Sequence, residues 1–331
     1  MLKVKPARED VAAATERRFA IVLNAAAGSV LGADPEERVG SLASALEALT
    51  GCGPVETAAV KGPEIAAAIE RAAAGPAEFV IVAGGDGTVS SAAPTVRRHG
   101  KILGVIPLGT YNLLARDLEI PLETDQAIAT LATGIVREID VATVNGRMFL
   151  CQSGFGFFTR VAYARQKQRK SHLGKWVQSA LAFVDAIRHL RKVDVIVRAD
   201  GQKRRFRTLA MLIAINSYHR NPAKLLQRDR LDGGKFALYS VRYRSVAGLM
   251  LFAVKLLLRI WHRDERLEIV SSRRLVVSSR RRPHRYRSRR LPLTADGELL
   301  IMHTPVQYRL YSRALKVLAP PQAGDSRRPA R

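Results

Sequence analysis

The chain has 331 residues, 47% of them hydrophobic, which is enough to bury one large core or two moderate ones. Its 54 Lys and Arg against 29 Asp and Glu give a formal charge of +25, so we expect an anionic partner such as a phosphate compound, lipid headgroups or nucleic acid. Cys52 and Cys151 are too few for a disulfide framework and lack the paired spacing of a zinc site, which favours a reducing compartment. The sequence has neither the layout of a secretory signal nor a clean apolar run of about 20 residues, so we expect no export and no transmembrane helix.

The first half of the sequence alternates predicted strands with predicted helices. Runs typical of buried strands occupy residues 19–23, 79–82 and 101–106; the first two are fully apolar, and the third begins at Lys101. Helices are predicted from Pro35 to a Gly51 cap, from Pro63 onward, and over residues 124–134 with a Thr cap and a Gly stop. This order is typical of an α/β domain with a parallel sheet.

The second half contains mostly strands. Val193, Val195 and Val197 recur at every second position, and Asp200-Gly201 predicts a hairpin turn into residues 209–215. Further strands are predicted over residues 267–270, 275–278, 298–303 and 308–311, and helices over residues 173–190 and 247–261. The fold class we predict is an α/β N-terminal nucleotide-binding domain followed by a β-rich, sandwich-like C-terminal domain.

These patterns also predict the domain limits. A polar arm covers residues 1–17, the α/β domain 18–142 and the β-rich domain 143–319. Residues 320–331 are rich in Pro, Gly, Ser and Arg, which predicts a disordered tail.

A glycine-rich loop follows the strand at residues 79–82. It comprises Gly84, Gly85, Asp86, Gly87 and Thr88. Glycines let backbone N–H groups approach phosphate oxygens, and the N-terminus of the next helix favours negative charge. Asp86 could hold Mg²⁺ or the nucleotide, and Thr88 could donate to a phosphate. The alternative is a tight turn before a helix; the chain has no Walker A sequence that would handle phosphate elsewhere.

Together with four other segments, this loop resembles the catalytic domain of the diacylglycerol kinase family, which includes sphingosine kinases and bacterial lipid kinases. Residues 24–28 resemble the family's Asn-Pro-x-x-Gly element, with Ala25 in place of the usual proline. Residues 107–116, followed by Ile120-Pro121, resemble its Gly-Thr-x-Asn loop entering a helix. Asp140 matches an aspartate used near the metal, and residues 296–298 resemble the family's Asp-Gly-Glu.

The resemblance implies a fold like that of NAD kinases and diacylglycerol kinases, with an ATP-binding domain before a lipid-substrate domain. It implies transfer of the γ-phosphate of ATP, with Mg²⁺, to a diacylglycerol-like or sphingoid-like hydroxyl. Asp296 would be the general base and Asp86 a second catalytic residue, and Asp86, Asp140 and Asp232 would hold metal. The residues assigned to the nucleotide are Asn24, Gly28, Gly84, Gly85, Gly87, Thr88, Gly109, Thr110, Asn112 and Glu298.

Simpler roles for some of these residues remain open. Asp296-Gly297 alone is typical of a hairpin turn, and Asp140 alone could be a solvated strand end. Asn112 could cap its helix instead of binding a ligand. A lone Gly-x-Gly at Gly154 and Gly156, which resembles the family's glycine element, is weak evidence.

The sequence departs from the family pattern at four further positions besides Ala25. Leu113 and Ser91 stand where an aspartate and a glutamate are common, and Cys151 stands where asparagine is usual. Asp232-Gly233 keeps one aspartate of an Asp-Asp-Gly element that contributes to a metal site in some bacterial members. These departures affect mainly the arrangement of the metal, and they motivate one alternative, a non-catalytic lipid- or nucleotide-binding relative.

A basic segment covers residues 273–290, which are dense in arginine and contain no acid. We expect it to contact an anionic membrane surface, because each basic residue near such a surface contributes about 1 kcal/mol. The helix at residues 247–261 could add an interfacial face. This predicts a cytoplasmic protein that is peripheral on the inner membrane face.

Other readings remain open. The basic segment could be a solvated loop or bind nucleic acid, although Tyr286 is its only aromatic interleaving and no nucleic-acid motif accompanies the arginines. An NAD kinase would share the glycine loop, but the Gly-Thr-x-Asn segment and Asp-Gly-Glu favour a lipid kinase. The lipid and the oligomeric state are left open by the sequence.

Overall fold

A computed structural model of the protein describes residues 17–27, 34–168, 175–219, 221, 224, 226–243, 245–279 and 290–321. The first half alternates as predicted: β1 (Phe19–Asn24), α1 (Pro35–Thr50), β2 (Glu56–Val60), α2 (Glu64–Ala74), β3 (Phe79–Gly84), α3 (Asp86–Arg98), β4 (Ile102–Pro107), α4 (Leu113–Asp117), α5 (Thr124–Thr133) and β5 (Ile135–Val144). The Asp34 carboxylate caps α1 by accepting from Glu36 N–H, and Gly51 ends the helix in the left-handed conformation. The predicted Thr124 cap is wrong, because Glu123 is the N-cap of α5 and makes no side-chain capping bond.

The second half contains eleven further strands and three further α-helices among the described residues. They are β6 (Arg147–Phe149), β7 (Gln152–Gly156), α6 (Phe157–Gln168), α7 (Lys175–Arg188), β8 (Val193–Ala199), β9 (Gln202–Thr208), β10 (Ala210–Ile215), β11 (Phe236–Val241), α8 (Val246–Leu257), β12 (Leu267–Ser272), β13 (Arg274–Ser279), β14 (Arg290–Ala295), β15 (Glu298–His303) and β16 (Val306–Ala319). A 3₁₀ helix, Trp261–Arg263, follows α8.

Two sheets organise the fold. In the larger sheet β2, β1, β3 and β4 are parallel, and the order continues through β16, β13, β8 and β9, with β5 and β6 beside β16. The smaller sheet, ordered β12-β11-β10-β7-β14-β15, is antiparallel. Because β16 pairs with both β4 and β5, the end of the described chain returns to the N-terminal sheet. The domain limits from the sequence remain a prediction, since one sheet runs through both halves.

The N-terminal sheet is covered by helices on both faces, which explains its uninterrupted apolar strands. Side chains of α2 and α3 pack with Val80 and Val82, whereas side chains of α1 and α5 pack with Phe79 and Ile81. This alternation along β3 follows from the two-residue repeat of a strand. The carboxyl ends of β3 and β4, and the loops after them, lie at one edge of the sheet.

The β-rich part is a sandwich with a helical layer on one side. Val195 and Val197 from the larger sheet pack against Met211 and Ile213 from the smaller one. On the outer face of the smaller sheet, α6, α8 and the 3₁₀ helix cover β7, β10 and β11. The predicted fold class is confirmed, and no helix of the described residues is long and apolar enough to span a membrane.

One predicted connection is wrong. The turn at Asp200-Gly201 joins β8 to β9 and not to β10. The β9 strand escapes sequence analysis because its residues are mainly basic and exposed, and only Phe206 and Thr208 are buried. Such charge is typical of an edge strand, where it discourages pairing with other chains.

Candidate active site

Two glycine loops meet at the edge of the N-terminal sheet. The first, Gly84-Gly85-Asp86, leaves β3 and enters α3; the second, residues 108–112, leaves β4 and enters α4. A Cβ on Gly109 would lie 2.6 Å from Gly85 Cα, and one on Gly84 would lie 2.8 Å from Thr88 Cβ. The loops can therefore touch only because these residues lack side chains.

Asp86 joins the two loops through its carboxylate. Its Oδ2 accepts from Asn112 N–H at 2.9 Å and its Oδ1 from Leu113 N–H at 2.5 Å, so it satisfies the free N–H groups at the start of α4. Burial raises the pKa of Asp86 above its ordinary value, opposed by these N–H donors and aided by the nearby charge of Asp296. Each Asp86 oxygen keeps one lone pair free of these bonds.

The first strand contributes Asn24 to the same loop. Its Nδ2 donates to Thr88 Oγ1 at 2.8 Å, and its Oδ1 accepts from Ala26 N–H at 2.9 Å. The structure thus brings Asn24 and Thr88 together, with Asn24 fixing the threonine hydroxyl. Gly28 lies outside the described residues.

Asn112 supports the second loop from inside. The residue is buried and left-handed, with φ of 49°, and its side chain accepts from Gly109 N–H and donates to Gly109 O, both at 2.9 Å. Its amide makes no capping bond to α4. Thr110 beside it is exposed. The loop therefore presents Thr110, whereas the amide of Asn112 holds its shape.

Asp296, which is far away in sequence, lies beside the same glycine loops. Asp296 occupies the β14–β15 hairpin turn with φ of 45°, so it does form the hairpin turn that Asp296-Gly297 alone would predict. Its buried carboxylate also points at the glycine loops. Oδ1 accepts from the N–H groups of Cys151 and Gln152, at 2.8 and 3.1 Å. Oδ2 accepts from Leu150 N–H and from Ser90 Oγ, both at 2.7 Å.

Asp86 and Asp296 line the same small cavity, together with Ser90, Leu113 and Cys151. Its volume is about 10 Å³, which is roughly the space that one water molecule needs. The two carboxylates assigned to catalysis therefore face a common space between α3, α4 and the β6–β7 segment. Leu113 stands at a position where an aspartate is common in the family. Its N–H donates to Asp86, and its side chain forms an apolar wall of the cavity.

Glu298 lies over the first loop. Its Oε2 accepts a hydrogen bond from Arg147 Nη2. A Cβ on Gly87 would lie 3.9 Å from Glu298 Oε1. Gly87 is exposed here, at the start of α3. The structure therefore brings Glu298 to the nucleotide-assigned loop.

Asp140 lies elsewhere, fully buried on β5. Its Oδ2 accepts from Asn216 Nδ2 at 3.0 Å and Gly234 N–H at 2.7 Å, and its Oδ1 from Arg313 N–H at 2.9 Å. It is therefore not a solvated strand end but a link between β5, β16 and the segment before β11. A Cβ at Gly233 would lie 2.7 Å from Asn216 Oδ1, so this packing leaves no room for a larger residue there.

Asp232 is paired with arginines. Desolvation would raise the pKa of Asp232, but hydrogen bonds and charge from Arg230 and Arg313 lower it below its ordinary value. The bonds measure 3.1 Å and 3.0 Å. Among the described residues no three acids, histidines or cysteines form a metal-sized group, so the three aspartates assigned to metal are not brought together. Of the three, Asp86 is the one that lies between the two glycine loops.

Sequence reasoning missed Ser90 and Arg228. Ser90 lies one turn into α3, and its hydroxyl reaches a carboxylate 206 residues away, a contact without a linear signal. Arg228 is buried and donates to Leu150 O at 2.9 Å, which holds the segment whose N–H groups bind Asp296. Burial also raises the pKa of the Cys151 thiol well above its ordinary value, so this cysteine is an unreactive wall of the site.

Comparisons with known proteins agree with this geometry. Residues 18–144 match the model of the diacylglycerol kinase catalytic domain. A diacylglycerol kinase of Staphylococcus carnosus (strain TM300) is 30% identical over 174 residues, 52% of this chain and 56% of that protein. A diacylglycerol kinase of Bacillus subtilis (strain 168) is 29% identical over 226 residues, 67% of this chain and 71% of that protein. The aligned part thus spans little more than half the length of the Staphylococcus relative.

The fold is also found among solved structures. The crystal structure of a putative diacylglycerol kinase from Bacillus anthracis str. Sterne superposes with a TM-score of 0.72 at 19% identity, covering 95% of this chain and 98% of that one. The glycine loops and Asp86 fall inside the matched domain. Residues 18–144 of the chain therefore match the diacylglycerol kinase catalytic domain, and the likeness to the solved structure extends the same fold over the rest of the chain.

Proposed function

We propose that the protein is an ATP-dependent lipid kinase, which transfers the γ-phosphate to a diacylglycerol-like or sphingoid-like hydroxyl. The observation that carries this proposal is the cavity shared by Asp86 and Asp296 beside two touching glycine loops. Phosphoryl transfer needs mainly positioning, charge neutralisation and an acceptor for the hydroxyl proton. The loops, Asp86 and Asp296 are suited to these three tasks.

The nucleotide phosphates would lie against the first loop and the N-terminus of α3. Gly87 is exposed there, and the Thr88 hydroxyl is held by Asn24. The helix N-terminus favours their negative charge. Mg²⁺ would be held by the free lone pairs of Asp86, since this ion commonly takes one or two carboxylates plus phosphates and water. When bound, it would neutralise charge on the phosphates.

The acceptor hydroxyl would bind at Asp296. Three backbone N–H groups fix this carboxylate, and the fourth donor, the Ser90 hydroxyl, belongs to a side chain that can rotate. An acceptor hydroxyl could therefore take the place of Ser90 on Oδ2 and give up its proton there. Asp296 would act as general base.

The lipid acceptor implies an encounter with a membrane. Among the exposed large apolar residues, Leu251, Val254, Leu257 and Leu258 all belong to α8 or its end. Arg259 and Arg263 are exposed just beyond them. An apolar helix face beside basic residues suits the interface of an anionic bilayer. We propose peripheral attachment to the cytoplasmic membrane face through α8, aided by the basic residues 273–290, of which 280–289 lie outside the described residues.

Lipid-extract phosphorylation would test the proposed chemistry. Purified protein with labelled ATP and Mg²⁺ should label a lipid that mass spectrometry identifies. Asp296→Asn should lower kcat by about 10²- to 10⁴-fold, the range for loss of a general base. Ser90→Ala should lower it less than about tenfold, because the backbone N–H groups still fix Asp296. Label appearing only in NADP when NAD is offered would overturn the proposal.

One observation favours a second candidate, a non-catalytic lipid- or nucleotide-binding relative. All four lone-pair positions of Asp296 are already occupied by donors. If Ser90 does not yield its place, the carboxylate has no position for an acceptor proton. Binding of ATP and lipid without any phosphorylated lipid, unchanged by Asp296→Asn, would favour this candidate.

A further inference from the structure

A second cavity lies in the β-rich half, between α6 and the strands β14 and β15. It has a volume of about 310 Å³. Val193, Leu291, Leu299 and Ile301 supply an apolar part of its wall. A volume near the lower end of the range for ligand sites suits a compact group and not a whole two-chain lipid.

Four cationic side chains line the same cavity: Arg160, Arg191, Lys192 and Arg290. None of the four forms an ion pair with a carboxylate of the described residues, as the ion pairs found there involve other cations. The acid in the lining, Asp194, is neutralised by Arg205, whose Nε and Nη2 donate to it at 3.1 and 2.8 Å. The cavity is therefore positively charged above an apolar wall.

This cavity is separate from the phosphoryl-transfer site. The strands β7 and β14 run antiparallel between the two places, with Thr294 opposite Gly154. Gln152 and Asp296 lie at the end of these strands that is next to the phosphoryl-transfer site, whereas Gly156 and Pro292 lie farther along them and line the cavity. Asp296 and Pro292 are four residues apart, about 13 Å at 3.3 Å per residue. A ligand in the cavity is thus not the hydroxyl that Asp296 serves.

We propose that this cavity binds the phosphate-bearing headgroup of an anionic lipid. Guanidinium groups match phosphate oxygens, and the apolar wall would receive the glycerol and the first acyl carbons. An uncharged lipid acceptor would gain nothing from four cations that form no ion pair with the carboxylates of the described residues. The protein would therefore hold a membrane that contains phosphorylated lipid more tightly than a neutral one, independently of phosphoryl transfer.

The position of the cavity agrees with a membrane contact. Ser279 and Arg290 both line it, and by sequence the ten residues between them include six arginines. The full basic segment thus leaves and re-enters the described structure at this cavity. The positive charge of the cavity comes from the four lining cations, all of which belong to the described residues.

Vesicle sedimentation with the full chain tests the proposal. Vesicles of phosphatidylcholine with 20% phosphatidic acid, about one lipid in five, supply the lipid phosphate, and phosphatidylcholine alone is the neutral comparison. Arg160→Gln with Arg290→Gln should weaken binding to the anionic vesicles about 25-fold, since each charge near the surface contributes about fivefold. Arg309→Gln is the matched control, because Arg309 is exposed on β16 and does not line the cavity.

A second variant separates a lipid from a free phosphate compound. Ile301 is 64% exposed, so Ile301→Ser should leave the melting temperature unchanged while it weakens binding to the anionic vesicles. Binding of glycerol 3-phosphate, measured by calorimetry, should be weaker than that of the vesicles and unaffected by this change. Equal vesicle binding by the double variant and the Arg309 control would overturn the proposal. Equally tight binding of glycerol 3-phosphate would overturn the lipid assignment in favour of a soluble phosphate compound.

Discussion

Arg228 and Asp117 form a buried ion pair that connects the two sides of the active site. Arg228 Nε donates to Asp117 Oδ2 at 2.8 Å, and the two side chains are 1% and 5% exposed. Burial alone would lower the pKa of Arg228, but the Asp117 carboxylate raises this pKa above its ordinary value. Asp117 ends α4, whose start is bound by Asp86, and Arg228 holds Leu150, whose N–H binds Asp296. The pair thus positions both carboxylates that we propose for catalysis without touching the cavity between them.

Replacing Arg228 by Met should cost about 3–5 kcal/mol of unfolding free energy, because Asp117 would remain as an unpaired buried charge. Adding Asp117→Asn should recover part of this stability. It should not recover kcat, because Leu150 O would still lack its guanidinium partner. Urea denaturation and the lipid-kinase assay measure the two effects separately.

An exposed arginine provides the control for this pair. Arg71 lies 3.6 Å from Glu56, with the arginine side chain 63% exposed, so Arg71→Met should cost at most about 1 kcal/mol. If the double variant regained full kcat together with stability, Arg228 would have only a structural role.

Much of the fold follows from local patterns, whereas the site depends on contacts across the chain. The strands β1, β3 and β4 are predicted because both their faces are buried and their residues are uniformly apolar. The exposed basic strand β9 gives no such pattern. Asp86 can be assigned because its glycine loop is contiguous, but its bonds to Asn112 and Leu113 depend on how the loops pack.

The contacts of the aspartates illustrate the same limit. Asp140 has three protein donors and Asp232 two arginine partners, and apart from Arg230, the neighbour of Asp232, these partners come from segments far away in sequence. A match to a family motif gives the residue type and its position along the chain. It does not reveal which neighbours occupy its oxygens, and so the assigned metal set of three aspartates stays a prediction.

The glycine at position 109 should be intolerant of any side chain. Its Cβ would lie 2.6 Å from Gly85 Cα and 2.7 Å from Asn112 Oδ1, so Gly109→Ala must separate the two loops. We expect Gly109→Ala to weaken ATP binding at least tenfold in a fluorescent-nucleotide titration, since misplaced binding groups commonly lose that much or more.

Gly40→Ala is the matched control, because a Cβ at this position within α1 meets no atom within 4 Å. It should raise the unfolding free energy by up to about 1 kcal/mol without affecting ATP. Unchanged ATP affinity in Gly109→Ala would contradict the role of the loop contact.

The raised pKa of Asp86 predicts how stability and activity depend on pH. The folded protein binds this proton more tightly than the unfolded chain, so the carboxyl contributes stability below its unfolded pKa, and that contribution is lost as pH rises through its folded pKa. Asp86→Asn should therefore have a higher melting temperature than the natural protein at pH 7, and the difference should shrink as pH falls. The same variant should lose kinase activity, because it lacks the charge for Mg²⁺.

The wild-type profile and a second variant check the Asp86 prediction. The acidic limb of kcat/KM should fall at a higher pH than an ordinary aspartate would give. Asp86→Ala should lower the melting temperature, since the N–H groups of Asn112 and Leu113 would lose their acceptor. A lower melting temperature for Asp86→Asn at pH 7 would be inconsistent with a burial-dominated shift.

The apolar face of α8 should decide whether the protein stays on a membrane. Leu257 and Leu258 are 76% and 64% exposed, so changing both to Glu should leave the melting temperature within about 2 °C. Binding to phosphatidylcholine vesicles that contain phosphatidic acid should fall at least tenfold, because two apolar anchors are replaced by charges that an anionic surface repels. Leu49→Glu is the control, since Leu49 is 56% exposed on α1. If the α8 variant instead changes the oligomeric state in sedimentation analysis while vesicle binding persists, this face joins two copies of the chain and the membrane proposal for α8 is wrong.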